Sequence, residues 1–196
     1  MEIDLELLWK QYERIIKDNG AIILNATFPF SAELYNSNPK LFRYDLIWEK
    51  PLATGFLNAN RMPLRSHEQI LVFYKKLPVY HPQFEEGKPY TMTRRGDSMD
   101  YGEVKDLHHT TVSDGKRYPK SVLRFAADKE KLHSTQKPLA LLKYLCLTYS
   151  NEGDIVLDNV AGSGTTLLAA KETGRKFIGI EKNEQFYNIA KIRLGI

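Results

Sequence analysis

A chain of 196 residues is long enough for one domain, or one domain with an appended lobe, and can bury a core without disulfides. With 42% hydrophobic and 27% charged residues it has a globular balance, and its net charge of +4 allows a polyanionic partner without demonstrating one. A single cysteine, Cys146, excludes an intrachain disulfide and fits a reducing compartment; the acidic start and the lack of an apolar run near ~20 residues argue for a cytoplasmic protein with no membrane partner.

The spacing of Ile3, Leu7, Leu8, Tyr12, Ile15 and Ile16 predicts a helix over residues 3–17, stopped at Asn19-Gly20. A short apolar strand follows over Ala21–Asn25, then a helix over Phe30–Tyr35. Phe42–Glu49 and Gln69–Tyr74 read as strands from their aromatic and β-branched content. The Pro- and Gly-punctuated stretch over residues 51–63 between them reads as a loop.

From Leu77 to Lys131 no periodicity is visible, and a segment of that length without regular structure is usually functional or mobile. Two clusters inside it combine cations with aromatics: Arg94-Arg95 with Tyr90, and Lys116, Arg117, Lys120 and Arg124 with Tyr118. Such mixtures suit phosphate contact and base stacking, although a solvated loop has the same composition.

Order then returns. Pro138 opens an apolar helix over Leu139–Tyr149, residues 154–158 form a strand, and Thr165–Glu172 a helix with Gly174 as its C-cap. Lys176–Glu181 is a strand and Glu184–Arg193 the last helix, so strand and helix alternate as in a parallel α/β sheet.

The strand–glycine turn–helix of Asp158 to Thr166 presents backbone N–H groups to a ligand, and the next strand ends in Glu181, an acid placed for a ribose diol. No lysine follows Gly164, which argues against a nucleotide triphosphate loop, and Leu167 stands where a dinucleotide fingerprint needs its third glycine. The paired acids Asp158 and Glu181 suit S-adenosylmethionine, which carries an amine and a ribose but no pyrophosphate.

Leu132-His133-Ser134-Thr135-Gln136-Lys137-Pro138, Asp158 to Thr166, and Phe177-Ile178-Gly179-Ile180-Glu181 together resemble the amino-methylating DNA methyltransferases. The order, with the cofactor half C-terminal to the target-recognition region, is that of the family's β class. Leu46 to Pro51 and Arg65 to Phe73 look like its central segments, particularly in phage-borne members.

The resemblance implies a Rossmann-like α/β methyltransferase sheet, divided into a catalytic-half remnant at 1–79, a target-recognition region at 80–131 and a cofactor half at 132–196. It implies transfer of a methyl group from S-adenosylmethionine to the exocyclic amine of a flipped-out base in double-stranded DNA, adenine N6 favoured over cytosine N4. Asp158, Gly162, Ser163, Gly164 and Thr165 would line the methionine end, Glu181 would hold the ribose, and Thr135, Gln136 and Lys137 would close over the cofactor. Arg94, Arg95, Lys116, Arg117, Lys120 and Arg124 become candidate DNA contacts, and His67 and Glu68 either touch DNA or cap a strand.

Two departures shape the remaining expectations. The family's catalytic Asp/Ser-Pro-Pro-Tyr/Trp tetrapeptide has no counterpart, because the sequence contains no Pro-Pro pair. Asn159 and Val160 stand where the family carries Pro and an aromatic residue. The expectation is therefore no catalytic or metal-binding residue in this chain, and a sheet incomplete at its N-terminal strands, with a gap between strand 154–158 and strand 21–25. Three readings stand: a remnant of a prophage enzyme with little or no activity, half of a split enzyme partnered by a separate N-terminal fragment, or a non-catalytic DNA-binding module.

Overall fold

The computed structural model describes residues 3–95, 108–130, 132 and 135–196, and of Arg94, Arg95, His108 and His109 the backbone alone. The chain divides into two compact units, Met1–His81 with Lys120–Ile196, and Pro82–Pro119.

The larger unit contains α1 (Leu5–Ile15), β1 (Ile22–Ala26), α2 (Phe30–Ser37), β2 (Phe42–Thr54), β3 (Arg65–Phe73), β8 (Val122–Arg124), α3 (Leu139–Tyr149), β9 (Ile155–Asp158), α4 (Thr165–Glu172), β10 (Lys176–Gly179) and α5 (Glu184–Leu194). Its main sheet has the order β1-β3-β2-β8. This sheet is mixed rather than parallel: β3 runs antiparallel to both neighbours, and β8 runs parallel to β2. The cause is local, since β2 and β3 are joined as a hairpin, and a hairpin can only be antiparallel. The helix-linked pair β9 and β10 is parallel.

Among the described residues, β1 pairs only with β3 and β9 only with β10. Each therefore has one edge without a ladder partner. The sheet face of the second pair carries Ile155, Leu157 and Ile178 at 36–60% exposure, an apolar surface that its own unit leaves open.

Alternation along β2 and β3 sends side chains to two faces. Leu46, Trp48, Ile70 and Val72 pack against α3 and α4 through Leu141, Leu142, Leu145, Cys146, Ala169 and Ala170. Leu71 and Phe73 face the other way, onto Trp9 of α1 and Leu34 of α2. Full burial of one such side chain is worth about 2 kcal/mol, so these two faces hold the layers together. The inward stripe of α1 centres on the buried Trp9, with Leu5, Tyr12 and the capping Ile16 partly buried beside it. Leu7 and Ile15, read from spacing as part of that stripe, are exposed. The Trp9 indole decides the rotation of the helix, its ring centroid 4.8 Å from that of Phe73 with the planes tilted by 57°, and its N–H donating to Ser37 Oγ at 2.7 Å.

Two stretches that lack periodicity carry strands among the described residues. β2 runs through Pro51 to Thr54, pairing Thr54 with Arg65 after a register shift, and a 3-10 turn over Phe56–Asn58 caps the hairpin. The shift falls between Glu49 and Thr54, a span that contains Pro51, which has no N–H to give the ladder. Among the described residues, the region 77–131 contains short strands. In the smaller unit β4 (Glu85–Glu86) pairs with β7 (Lys116–Arg117), and β5 (Tyr90–Arg95) with β6 (His108–Ser113). Elements of two to six residues are too short to show periodicity, and hairpin pairing defines them instead.

Burial pushes the Cys146 thiol up to about 11 and also raises the Tyr44 and Tyr149 hydroxyls. The fold thus favours the neutral thiol. Its contribution is complete below the ordinary thiol value of about 8.5 and is lost as pH rises through the folded value. Urea midpoints are expected to fall between roughly pH 9 and 11, less steeply in Cys146→Ala, with the tyrosines supplying the rest. A flat midpoint across that window would show that the burial is not maintained in solution.

Candidate functional site

The glycine turn connects β9 to α4, and its two glycines do different work. Gly162 has φ +53° and Gly164 φ +77°, both left-handed conformations that a side chain disfavours. A Cβ at Gly164 would lie 2.8 Å from Ala190 Cβ and 3.2 Å from Ala190 Cα, so that glycine admits α5. A Cβ at Gly162 would meet nothing within 4 Å. Close packing therefore explains Gly164, whereas Gly162 opens its backbone onto free space beside the helix N-terminus.

Glu181 is anchored at that opening. Its Oε2 accepts from Gly162 N–H at 2.8 Å and its Oε1 from Asn183 N–H at 2.8 Å. Asp158 ends β9 and accepts from Val160 N–H at 3.1 Å. The two carboxylates thus flank one turn, brought together by the parallel register that pairs Asp158 with Gly179.

Ser163 and Thr165 are buried, at 3% and 5% exposure. Arg193 of α5 donates to the Ser163 carbonyl at 2.8 Å and to Thr165 Oγ1 at 2.9 Å. Their hydroxyls brace the turn from beneath. Arg193 was not among the residues singled out from sequence, and a basic residue in the last turn of a helix gives no signal beyond the helix dipole. Gly179 was likewise missed as a packing residue: a Cβ there would sit 2.2 Å from Leu167 Cδ1. Leu167, in the place of a third glycine, lies against Gly179, so helix and strand still pack closely with the glycine moved to the strand.

The loop before α3 closes onto the turn. Gln136 Oε1 accepts from Ser163 Oγ at 3.3 Å and from Leu132 N–H at 3.1 Å, while its Nε2 donates to Asp128 at 2.9 Å. Asp128 also accepts from Leu139 N–H at 3.1 Å, capping α3 from a distance. Lys137 pairs with Glu68 at 2.7 Å, and Lys50 lies 3.8 Å from the same carboxylate. Glu68, read as a DNA contact or a cap, is thus an anchor for the loop. Thr135 is exposed beside them, and His133 and Ser134 lie outside the described residues.

Asn159 acquires a partner that the sequence does not reveal: Tyr12 Oη donates to its Oδ1 at 2.8 Å, tying α1 to the turn. Burial raises the Tyr12 hydroxyl, with the Asp158 charge adding to it, so it stays a donor. Val160 is 72% exposed.

The candidate DNA contacts are dispersed. Lys120 and Arg124 belong to the larger unit, where Arg124 pairs with Glu49 at 2.9 Å. In the smaller unit Arg117 lies 4.6 Å over the Tyr90 ring and donates to the Lys88 carbonyl and Ser113 Oγ, so it braces its own hairpins. Lys116 is exposed, beside a Phe84–Tyr118 ring pair at 4.9 Å. The side chains of Arg94 and Arg95 lie outside the described residues.

Comparison with known proteins fits this geometry. The model of the N6/N4 DNA methylase family matches residues 4–192. The chain is 42% identical over 214 residues to the type II methyltransferase M.HindIII of Haemophilus influenzae, covering 95% of this chain and 66% of that protein. It is 50% identical over 74 residues to the DNA adenine methyltransferase YhdJ of Escherichia coli, covering 38% of this chain and 25% of the relative. The chain thus spans two thirds or less of the length of these relatives. Among solved structures, M1.HpyAVI in complex with SAM superposes with a TM-score of 0.68 at 24% identity, over 97% of this chain and 82% of that one. The cytosine-N4-specific PvuII DNA methyltransferase gives 0.70 at 13% identity, over 96% and 70%; these two likenesses show the shared fold. Among the described residues no helix is long and apolar enough to cross a membrane. With the family model matched over residues 4–192, which include the whole glycine turn, the chain belongs to the DNA methylase family.

Proposed function

We propose that this chain takes part in S-adenosylmethionine-dependent methylation of the adenine N6 amino group in double-stranded DNA. The observation that carries the reading is the opening over Gly162, where the absent Cβ leaves free space at a turn flanked by two carboxylates. Asp158 would hold the methionine amine, Glu181 the ribose hydroxyls, and the N–H groups of the α4 first turn the carboxylate end. Thr135, Gln136 and Lys137 would form the covering loop, held down by Ser163 and Glu68. The cofactor supplies an electrophilic methyl group. The chain's own residues bind and orient it and exclude water. Preference for adenine over cytosine is supported by the adenine methyltransferase name of one relative.

The group that would hydrogen-bond the target amine is not assigned to any of these residues. The open edges of β1 and β9 support a partner segment that adds a strand between them and brings that group, and a separate N-terminal fragment would serve. The DNA contacts are proposed to lie in residues 80–131, where the Tyr90, Lys116 and Tyr118 side chains line an open groove of about 680 Å³ within the smaller unit. Without cofactor binding, that groove would support a DNA-binding module alone.

Titration calorimetry separates the two readings. Wild-type chain is expected to bind S-adenosylmethionine, and Asp158→Ala to weaken it about tenfold or more, equivalent to ~1.4 kcal/mol. Absence of cofactor binding alongside salt-sensitive DNA binding would favour the module. With labelled cofactor and duplex DNA, little methyl incorporation is expected from the chain by itself, and robust incorporation would remove the need for a partner segment.

A further inference from the structure

The hairpin of β2 and β3 ends in a tip, residues 55–64, whose described side chains are exposed. Its neck is closed by the Thr54–Arg65 pair, with Thr54 Oγ1 donating to the Arg65 carbonyl at 3.3 Å and accepting from Lys50 Nζ at 3.2 Å. Gly55, at φ +93°, turns the chain into the 3-10 segment. Asn58 N–H donates back to the Gly55 carbonyl at 2.9 Å, and Arg61 and Met62 N–H groups donate to the Asn58 carbonyl at 2.8 and 3.0 Å. The tip is therefore a compact, internally bonded structure.

That tip presents apolar side chains to water. Leu57 is 98% exposed, Phe56 81% and Met62 57%, and Leu52, in β2 just before the neck, is 73% exposed. One exposed leucine needs no explanation, but several on one built turn do. From Lys50 to His67 there is no Asp or Glu, while Lys50, Arg61 and Arg65 are cationic. Among the described residues, Arg61 and Arg65 are exposed and pair with no carboxylate. An apolar point between cations, with all acids removed, is complementary to a polyanion with an apolar interior.

The position fits as well. Glu68, three residues from the neck, pairs with Lys137, and the adjacent Gln136 bonds Ser163 of the glycine turn. The hairpin thus starts at the candidate cofactor site and reaches about 10 Å past Glu68 before its tip begins, at ~3.3 Å per residue.

We propose that this tip is a DNA wedge: Phe56 and Leu57 enter the base stack beside the extruded nucleotide, and Arg61 and Arg65 hold the flanking phosphates. The inference rests on the methyltransferase reading, which requires a base to leave the helix and so opens a gap in the stack. Apolar side chains occupy such gaps at a modest unstacking cost, and cations beside them fix the register.

The test uses the full chain and a mixed-sequence duplex with fluorescent aminopurine in a mismatch, where extrusion is cheapest. Wild type is expected to raise the aminopurine signal on binding. Phe56→Ala with Leu57→Ala should lose that rise and weaken binding about tenfold, with an unchanged salt slope because no cation is removed. Arg61→Ala with Arg65→Ala should lower the salt slope by about 2. Both pairs are exposed, so circular dichroism and melting should match wild type. Undiminished binding and signal in the Phe56/Leu57 variant would overturn the wedge while leaving the methyltransferase reading in place. Self-association of wild type that the same variant abolishes, with DNA affinity intact, would overturn it in favour of contact with a second copy. Absence of DNA binding by wild type would overturn the wedge, whereas the methyltransferase reading falls only if S-adenosylmethionine binding is absent as well.

Discussion

Gly164→Ala is expected to destabilise the protein by about 3 kcal/mol, whereas Gly162→Ala, two residues away, removes cofactor binding and leaves the fold nearly intact. Both positions are left-handed, and both variants carry that strain, about 1–2 kcal/mol. Only at Gly164 does the new methyl group also collide, with Ala190 Cβ at 2.8 Å and its backbone Cα at 3.2 Å. A helix backbone cannot yield as a side-chain tip can, and overpacking of this kind typically adds about 1–3 kcal/mol. For a domain with roughly 5–15 kcal/mol in hand the sum is a large share. At Gly162 the methyl group enters open space, the same space proposed for the cofactor. Urea denaturation and calorimetry run side by side decide the matter. Cofactor affinity at wild-type level in Gly162→Ala would mean that the ligand does not approach this backbone.

Arg193→Ala is expected to destabilise by a comparable ~3 kcal/mol, through unsatisfied groups instead of overlap. Its guanidinium serves the Ser163 carbonyl and Thr165 Oγ1 together, and both residues are almost fully buried. Removing the donor leaves buried acceptors without a partner, at about 1–3 kcal/mol each. The turn should loosen in the same variant, raising hydrogen exchange over residues 161–165 and weakening S-adenosylmethionine. Arg193→Lys should recover only part of the loss, since an ammonium does not reproduce the planar fork. Equal stability of Arg193→Ala and wild type would show that water replaces the guanidinium.

The C-terminal half was legible because its signals are local. The helices over Leu139–Tyr149 and Thr165–Glu172 occur with the bounds that apolar run, Pro138 and Gly174 predict. The order of strand, glycine turn and helix, and the acid after the next strand, could be read residue by residue. Less was legible where contacts join distant residues. Asn159, read only as a departure from the family pattern, holds Tyr12 across 147 positions. Ser163 and Thr165, read as ligand-facing, turn their hydroxyls to an arginine 30 and 28 positions later. The extension of β2 through Pro51 to Thr54 was hidden by turn-forming residues, because cross-strand pairing with β3 outweighs the local preference.

The glycine turn therefore has two layers of explanation. Residue order alone determined that a strand, a glycine turn and a helix follow one another, that Asp158 and Glu181 stand at the ends of the turn and of the next strand, and that the sequence contains no Pro-Pro pair. Those are properties of neighbouring residues and of their spacing along one element. Tertiary structure alone decided that Ala190 fills the space over Gly164 while Gly162 stays open, and that Leu167 takes the space over Gly179. The reason is steric: whether a missing Cβ is a packing device or a ligand opening depends on which other element arrives within 4 Å, and that element lies elsewhere in the chain.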